Sequence, residues 1–201
     1  MLDVIINILT SGLPCVLLAL GIFLTFRILD FADLTVDGSF ALGGAVFVAL
    51  WTAGIPMFLA LLIAVAAGAV AGLLTAVFHC YFGIPGILAG ILTQLILYSV
   101  NLLILKGSFL GLPQRGGLLS SLSEETSLLI IAGICAAVIG FIYWFFGTRY
   151  GSSIRATGSN EAMSRANGIN VNSRKITALM ISNAIVALSG ALFSKYFGTA
   201  D

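Results

Sequence analysis

Apolar residues run along this chain in long blocks, and polar residues gather between them. Residues 4–26 carry no charge. From Gly38 to Leu105 the only ionisable basic side chain is His79, and there is no acidic one. That second run is too long for one helix. It is punctuated at Gly54-Ile55-Pro56 and at Gly83-Ile84-Pro85-Gly86. Proline there lacks an N–H and turns the preceding residue away from helical geometry. The pattern predicts spans at 4–26, 36–53, 57–81, 86–105, 127–147 and 176–194. A helix needs about 20 apolar residues to cross a hydrocarbon layer of about 30 Å, and each span comes near that length. The fold class is therefore all-α: a polytopic transmembrane helix bundle of about six spans, read as one domain over residues 1–201.

Composition sharpens this reading. Of 201 residues, 60% are hydrophobic and 8% charged, where a soluble domain carries about 25% charged. Mean hydropathy is +1.14. A net charge of +1 gives no basic surface for nucleic acid. Cys15, Cys80 and Cys135 lie in or at the ends of apolar spans without metal or disulfide spacing, so they read as packing residues and no metal site is expected. The first apolar run lacks a basic segment before it and is long enough to stay in the membrane, so no cleaved signal peptide is expected.

Lys and Arg counts in short loops set an orientation. Placing 149–175 in the cytoplasm puts Arg27, Arg149, Arg155, Arg165, Arg174 and Lys175 inside and leaves Lys106, Arg115 and Lys195 outside. The loop at 106–126, with Pro113, Glu124 and Glu125, is then external. It either meets a partner outside the membrane or is a plain connector. Gly68-x-x-x-Gly72 and Gly86-x-x-x-Gly90 predict close helix packing. Residues 187–201 lay over 19–33 with identities at Ala, Leu, Leu, Ala and Asp. That overlay predicts the start of an inverted second repeat, and a chain that is a fragment of a longer protein.

Three polar clusters could carry function. The first is the cytoplasmic loop at 148–175. Ser159 or Asn160 caps a short helix, and Glu161 suits the positive end of its dipole. Glu161 and Arg165 stand at i, i+4, and Gly168 is a natural residue for the turn after a helix. Ala162, Met163 and Ala166 form one small apolar face. A helix of about two turns is marginal alone in water, so it docks, either on its own bundle or on a separate protein. The second cluster is Asp30, Asp33 and Asp37 with Gly38 and Ser39, between the first two spans. A carboxylate at the bilayer centre costs about 2.5–3.5 kcal/mol. These residues therefore form an interfacial turn, or a broken helix in which Asp33, Asp37, Gly38 and Ser39 line a gate or pathway. The third is Gln94, Tyr98 and Asn101, which share one face of the fourth span. They are either interhelical hydrogen-bond partners or pathway lining. His79 stands apart from other metal-ligating residues and reads as interfacial.

The loop Gly151-x-x-x-Arg155-Ala156-x-Gly158-x-Asn160-Glu161-Ala162, then Gly168-Ile169-Asn170-Val171, resembles the cytoplasmic coupling loop of bacterial ATP-binding-cassette importer permeases. The matching family serves branched-chain amino acids and ribose-type sugars. Lys175, 179–182 and 187–192 continue the resemblance, which covers nearly the whole chain. Residues 34–40 resemble a subgroup proposed to import aromatic or other amino acids. The resemblance implies that Asn160, Glu161, Ala162, Gly168 and Ile169 contact the ATPase, with Met163 in place of a usual second alanine and Arg165 on the same helix. It also implies several partners: an ATP-binding subunit holding ATP and Mg, a periplasmic or lipid-anchored solute-binding protein, a second permease chain, and membrane lipid. The localisation it implies is the bacterial inner membrane. There is no phosphate-binding loop, no H-E-x-x-H and no G-x-S-x-G in the chain, so neither ATP hydrolysis by that route nor another enzyme activity is expected of it. Two rival readings are an ion-coupled secondary transporter using Asp30, Asp33 and Asp37, and a membrane scaffold without a pathway.

Overall fold

The computed structural model describes residues 2–105, 110–111, 124–197 and 199–200. Eight α-helices follow in order: α1 Leu2–Phe23, α2 Thr35–Thr52, α3 Met57–Cys80, α4 Gly86–Leu105, α5 Glu124–Gly147, α6 Arg149–Ser159, α7 Glu161–Ala166 and α8 Val171–Phe197. A two-residue antiparallel ladder joins β1 Leu110–Gly111 to β2 Thr199–Ala200. Among the described residues, six helical segments are long and apolar enough to cross a membrane, and the chain is a multi-pass membrane protein. Most of the external loop predicted at 106–126, with Lys106 and Arg115, lies outside the described residues, as does Asp201.

The predicted breaks hold for local reasons. Gly54 and Gly83 take φ of +87° and +70°, the left-handed region that glycine enters without a Cβ clash. Pro56 and Pro85 follow, and α3 and α4 start one residue later. α1 ends differently. It widens into a π-helical turn at Leu24–Ile28, closed by Leu29 N–H to Leu24 O at 3.2 Å. Asp30 then reverses the chain with φ +54°, a conformation that Asp tolerates better than most residues. Residues 29–34 form a turn, and α2 runs helical from Thr35 without a break.

α8 is the axis of the bundle. α1, α2 and α3 pack along it, α4 lies against α2 and α3, and α5 leans on α1 from outside. The approach to α8 is close because glycines face it. A Cβ at Gly43 would meet the Ala187 backbone, one at Gly68 the Asn183 carbonyl, and one at Gly72 the Leu179 carbonyl. The predicted Gly68/Gly72 pair is thus the α3–α8 seam. The second pair packs on the turn after α1, Gly86 against the Phe31 ring and Gly90 against Leu34.

Residues 149–159, read from sequence as loop, are helix α6. Its Gly, Ser and Thr content argues against a helix in isolation. Tertiary packing overrides that preference. Ile154 is fully buried among Leu29, Phe31, Ala178 and Leu179, and Gly158 passes against the Ile28 carbonyl. α8 likewise starts at Val171, five residues before the predicted edge at 176. Polar residues there belong to the first turns of a helix that continues into the apolar span.

Gly72→Val is expected to lower the apparent melting temperature in detergent by several degrees, since overpacking a tight seam costs about 1–3 kcal/mol. Gly133→Val, where a Cβ meets nothing, is expected to leave it within about a degree. Equal melting curves for the two variants would remove α8 from its place as the packing axis.

Candidate functional site

Two regions hold the polar side chains of interest, and α8 connects them. The first is the segment Arg149–Lys175. Three short-range caps shape it. Thr148 Oγ1 accepts from Gly151 N–H at 3.3 Å to start α6. Asn160 Oδ1 accepts from Met163 N–H at 2.9 Å to start α7. Asn170 Oδ1 accepts from Ser173 N–H at 3.2 Å to start α8. Of the two predicted caps for α7, Asn160 makes the bond, while Ser159 Oγ turns back to the Ala156 carbonyl. Gly168 takes φ +75°. Its N–H bonds the Arg165 carbonyl at 3.0 Å, and Ile169 N–H bonds the Ser164 carbonyl at 3.0 Å. That pair of bonds is the Schellman closure of a helix C-terminus.

α7 thus has both ends fixed, yet little of it is buried. Ser164 is its one buried residue. Ala162, Met163 and Ala166 are exposed, Met163 at 64%. The small apolar face points away from the bundle and a polar side chain points toward it, the reverse of a helix packed on its own protein. Glu161 makes an ion pair with Lys175. Its helix-internal partner Arg165 is more distant, at 3.9 Å, and both of those side chains are solvated. Exposed pairs of that kind contribute about 0–1 kcal/mol.

The second region is the turn after α1 and the adjoining faces of α2 and α4. Asp33 is committed to protein donors. Its Oδ1 accepts from Thr35 N–H at 2.9 Å and its Oδ2 from Asn183 Nδ2 at 2.8 Å. Ser39 is fully buried and donates to Asn183 Oδ1 at 2.6 Å. Asn183 on α8 therefore ties the start of α2 to the bundle axis. Beside it, the hydroxyls of Thr35, Thr75 and Thr93 form a chain, 2.7 Å and 3.0 Å apart, across α2, α3 and α4.

Asp37 differs from Asp33 in having no protein partner, and from Asp30 in lining a cleft. It is exposed in the first turn of α2 and has no bonding partner among the described residues. It lies at the junction of two clefts. One, of about 290 Å³, is lined by Ile22, Thr25, Asp33 and Asp37 among others. The other, of about 440 Å³, is lined by Asp37, Gly38, Gln94, Tyr98 and Asn101, with Ile91 and Leu95. The predicted α4 face and the start of α2 therefore share one space, while Ser39 turns away from it and Asp30 lines neither cleft. Asn101 is only 7% exposed, and its Oδ1 has no partner. A buried acceptor left in that state costs about 1–3 kcal/mol.

Asn183, Lys175 and the three threonines were not singled out as site residues by the sequence, although Thr93 adjoins the predicted face of α4. The signal for Asn183 was available: an amide in the middle of a hydrophobic span needs an internal partner. No group of three or more His, Cys, Asp or Glu side chains that could hold a metal occurs among the described residues.

Residues 4–201 match the family described as branched-chain amino acid transport system / permease component. The chain is 36% identical over 198 residues to a tyrosine transport system permease protein of Clostridioides difficile (strain R20291), covering 98% of this chain and 66% of the relative. An uncharacterized protein of Rickettsia prowazekii (strain Madrid E) is 34% identical over 203 residues, covering 100% of this chain and 71% of that protein. A ribose import permease protein of Haemophilus influenzae is 27% identical over 205 residues, covering 99% of this chain and 63% of the relative. The chain thus spans about two thirds of the length of the curated relatives it matches. No solved structure matches it. The coverage of the family match and the two relatives above 30% identity lead to one conclusion: this chain belongs to the branched-chain amino acid transport system permease family.

Proposed function

We propose that this chain is a membrane-spanning permease subunit of an ABC importer that carries a small solute, an amino acid, across a bacterial inner membrane. The observation that carries the reading is the outward apolar face of α7. A helix capped at both ends, fixed to the bundle by an ion pair and one buried serine, presents Ala162, Met163 and Ala166 to the aqueous side. That is the form a rigid contact for a second protein takes, and a separate ATP-binding subunit is the partner. ATP and Mg belong to that subunit. A solute-binding protein delivers cargo at the other face, and a second permease chain completes the pathway. Coupling works because the ATPase binds the two conformations of the permease with different affinity, so nucleotide binding shifts their populations.

The cleft between α2 and α4 is the stretch of pathway this chain contributes. An exposed, unpartnered Asp37 beside the Gln94, Tyr98 and Asn101 face of one cleft fits a wet or solute-contacting surface better than interhelical adhesion. The name of the Clostridioides relative supports an amino acid as cargo. The three acids do not form one ion site: Asp33 is bound to protein donors, Asp30 lies outside both clefts, and Asp37 faces them without either neighbour as a partner.

Purification in mild detergent from native membranes is expected to bring along a stoichiometric protein bearing a phosphate-binding loop. Met163→Glu is expected to lose that partner and to reduce ATP-driven uptake at least about tenfold, a difference of roughly 1.4 kcal/mol in contact strength. Its membrane level and melting temperature should be unchanged. A clean wild-type preparation would move the reading to a carrier without an ATPase. Asn101→Leu separates pathway from adhesion. As pathway lining, it should keep or raise stability, since it removes an unsatisfied acceptor, while uptake falls. A loss of stability with normal uptake per folded molecule would assign Asn101 to helix packing.

A further inference from the structure

Lys175 is a cation with only 9% of its surface exposed, one turn into α8. Its ammonium pairs with the Glu161 carboxylate of α7 and lies 3.2 Å from His79 Nε2 near the end of α3. The other ring nitrogen, Nδ1, is 2.9 Å from the Ile84 carbonyl oxygen in the α3–α4 turn. An ammonium only donates, and a carbonyl only accepts. One neutral tautomer satisfies both contacts: the proton sits on Nδ1 and is donated to Ile84, and Nε2 accepts from Lys175. The Phe31 ring holds the imidazole edge-on at 5.0 Å. A continuous line of polar contacts therefore runs from α7 through α8 and α3 to the turn that starts α4.

We propose that Lys175 and His79 are positioning residues that transmit displacement of α7 to the α3–α4 turn, and so to the cleft face of α4. The proposal rests on the reading of α7 as the ATPase contact. Its physical basis is the cost of leaving a buried cation unpaired. If α7 moves away, Lys175 loses its only anionic partner in this line. The lysine must follow Glu161, which breaks its bond to His79, or stay behind as an uncompensated charge. Either way the environment of His79 and the Ile84 carbonyl changes with the position of α7. Gly83 at φ +70° marks where that turn reverses the chain. α4, which carries Gln94, Tyr98 and Asn101, starts three residues later at Gly86.

The experiment uses the complete transporter, full-length permease with its ATPase and binding protein, in proteoliposomes. L-tyrosine and ribose serve as separate labelled probes, and the readout is solute imported per ATP hydrolysed. Lys175→Met is expected to retain the ATPase and its hydrolysis while solute per ATP falls about fivefold or more, the usual size of a lost coupling between sites. His79→Leu should fall in the same direction. The double variant should be no worse than Lys175→Met alone, because the two residues act in one line. Lys175→Arg, which keeps the charge, should recover part of the loss. A purely structural role would lower the amount of folded transporter and leave the ratio alone. Wild-type ratios in both single variants, or losses that simply add in the double variant, overturn the proposal. If Lys175→Met does not reach the membrane, His79→Leu decides, since it keeps the Lys175–Glu161 pair. Wild-type vesicles that import neither probe on addition of ATP overturn the importer reading itself, a result distinct from failure of the line alone.

Discussion

Hydrocarbon offers no hydrogen-bond partner, so a polar group inside the bundle must find one within the protein. α8 meets that constraint for much of the structure. Ser182 donates to the Gly21 carbonyl at 2.8 Å, and Ser189 donates to the Pro14 carbonyl at 2.6 Å. Both tie α8 to α1. Asn183 engages Ser39 and Asp33 on the side of α2. Glycines on α2 and α3 bring those backbones close enough for van der Waals contact along the rest of the axis. Remove α8 and α1, α2 and α3 lose the helix they share as a packing partner, and apolar side chains gain nothing by leaving lipid for one another.

The same constraint separates structural from functional polar residues. Asp33, Ser39 and the threonine chain spend their hydrogen-bonding capacity inside the protein. Asp37 and the Asn101 Oδ1 do not, and the two residues line the larger cleft. Three carboxylates within eight residues of sequence thus serve three purposes. Asp30 turns the backbone, Asp33 fastens α2 to α8, and Asp37 stays available. The segment at 149–175 follows a similar division. Its caps are satisfied locally, Lys175 is satisfied across three helices, and the apolar face of α7 is covered by nothing among the described residues.

Much of this was legible from residue order. The six spans, the breaks at Gly54-Ile55-Pro56 and Gly83-Ile84-Pro85, and the short helix between Asn160 and Gly168 all depend on neighbours a few positions apart. Caps, turns and apolar runs are local properties, so a single sequence carries them. The shared face of Gln94, Tyr98 and Asn101 followed from helical periodicity alone. α6 escaped because its composition opposes helix formation, and Ile154 earns its place only once Leu29, Phe31 and Leu179 surround it.

What only the tertiary structure decided are the relations across long separations. Ser39 and Asn183 are 144 residues apart, Asp33 and Asn183 are 150, and His79 and Lys175 are 96. No periodicity or spacing encodes such pairs. They exist because helix packing brings distant segments together, and burial then makes each unpaired polar group costly. The sequence determined where the chain crosses the membrane and where it stops being helix. Packing around α8 determined which acid is bound, which way α7 faces, and how α7 is tied to the bundle.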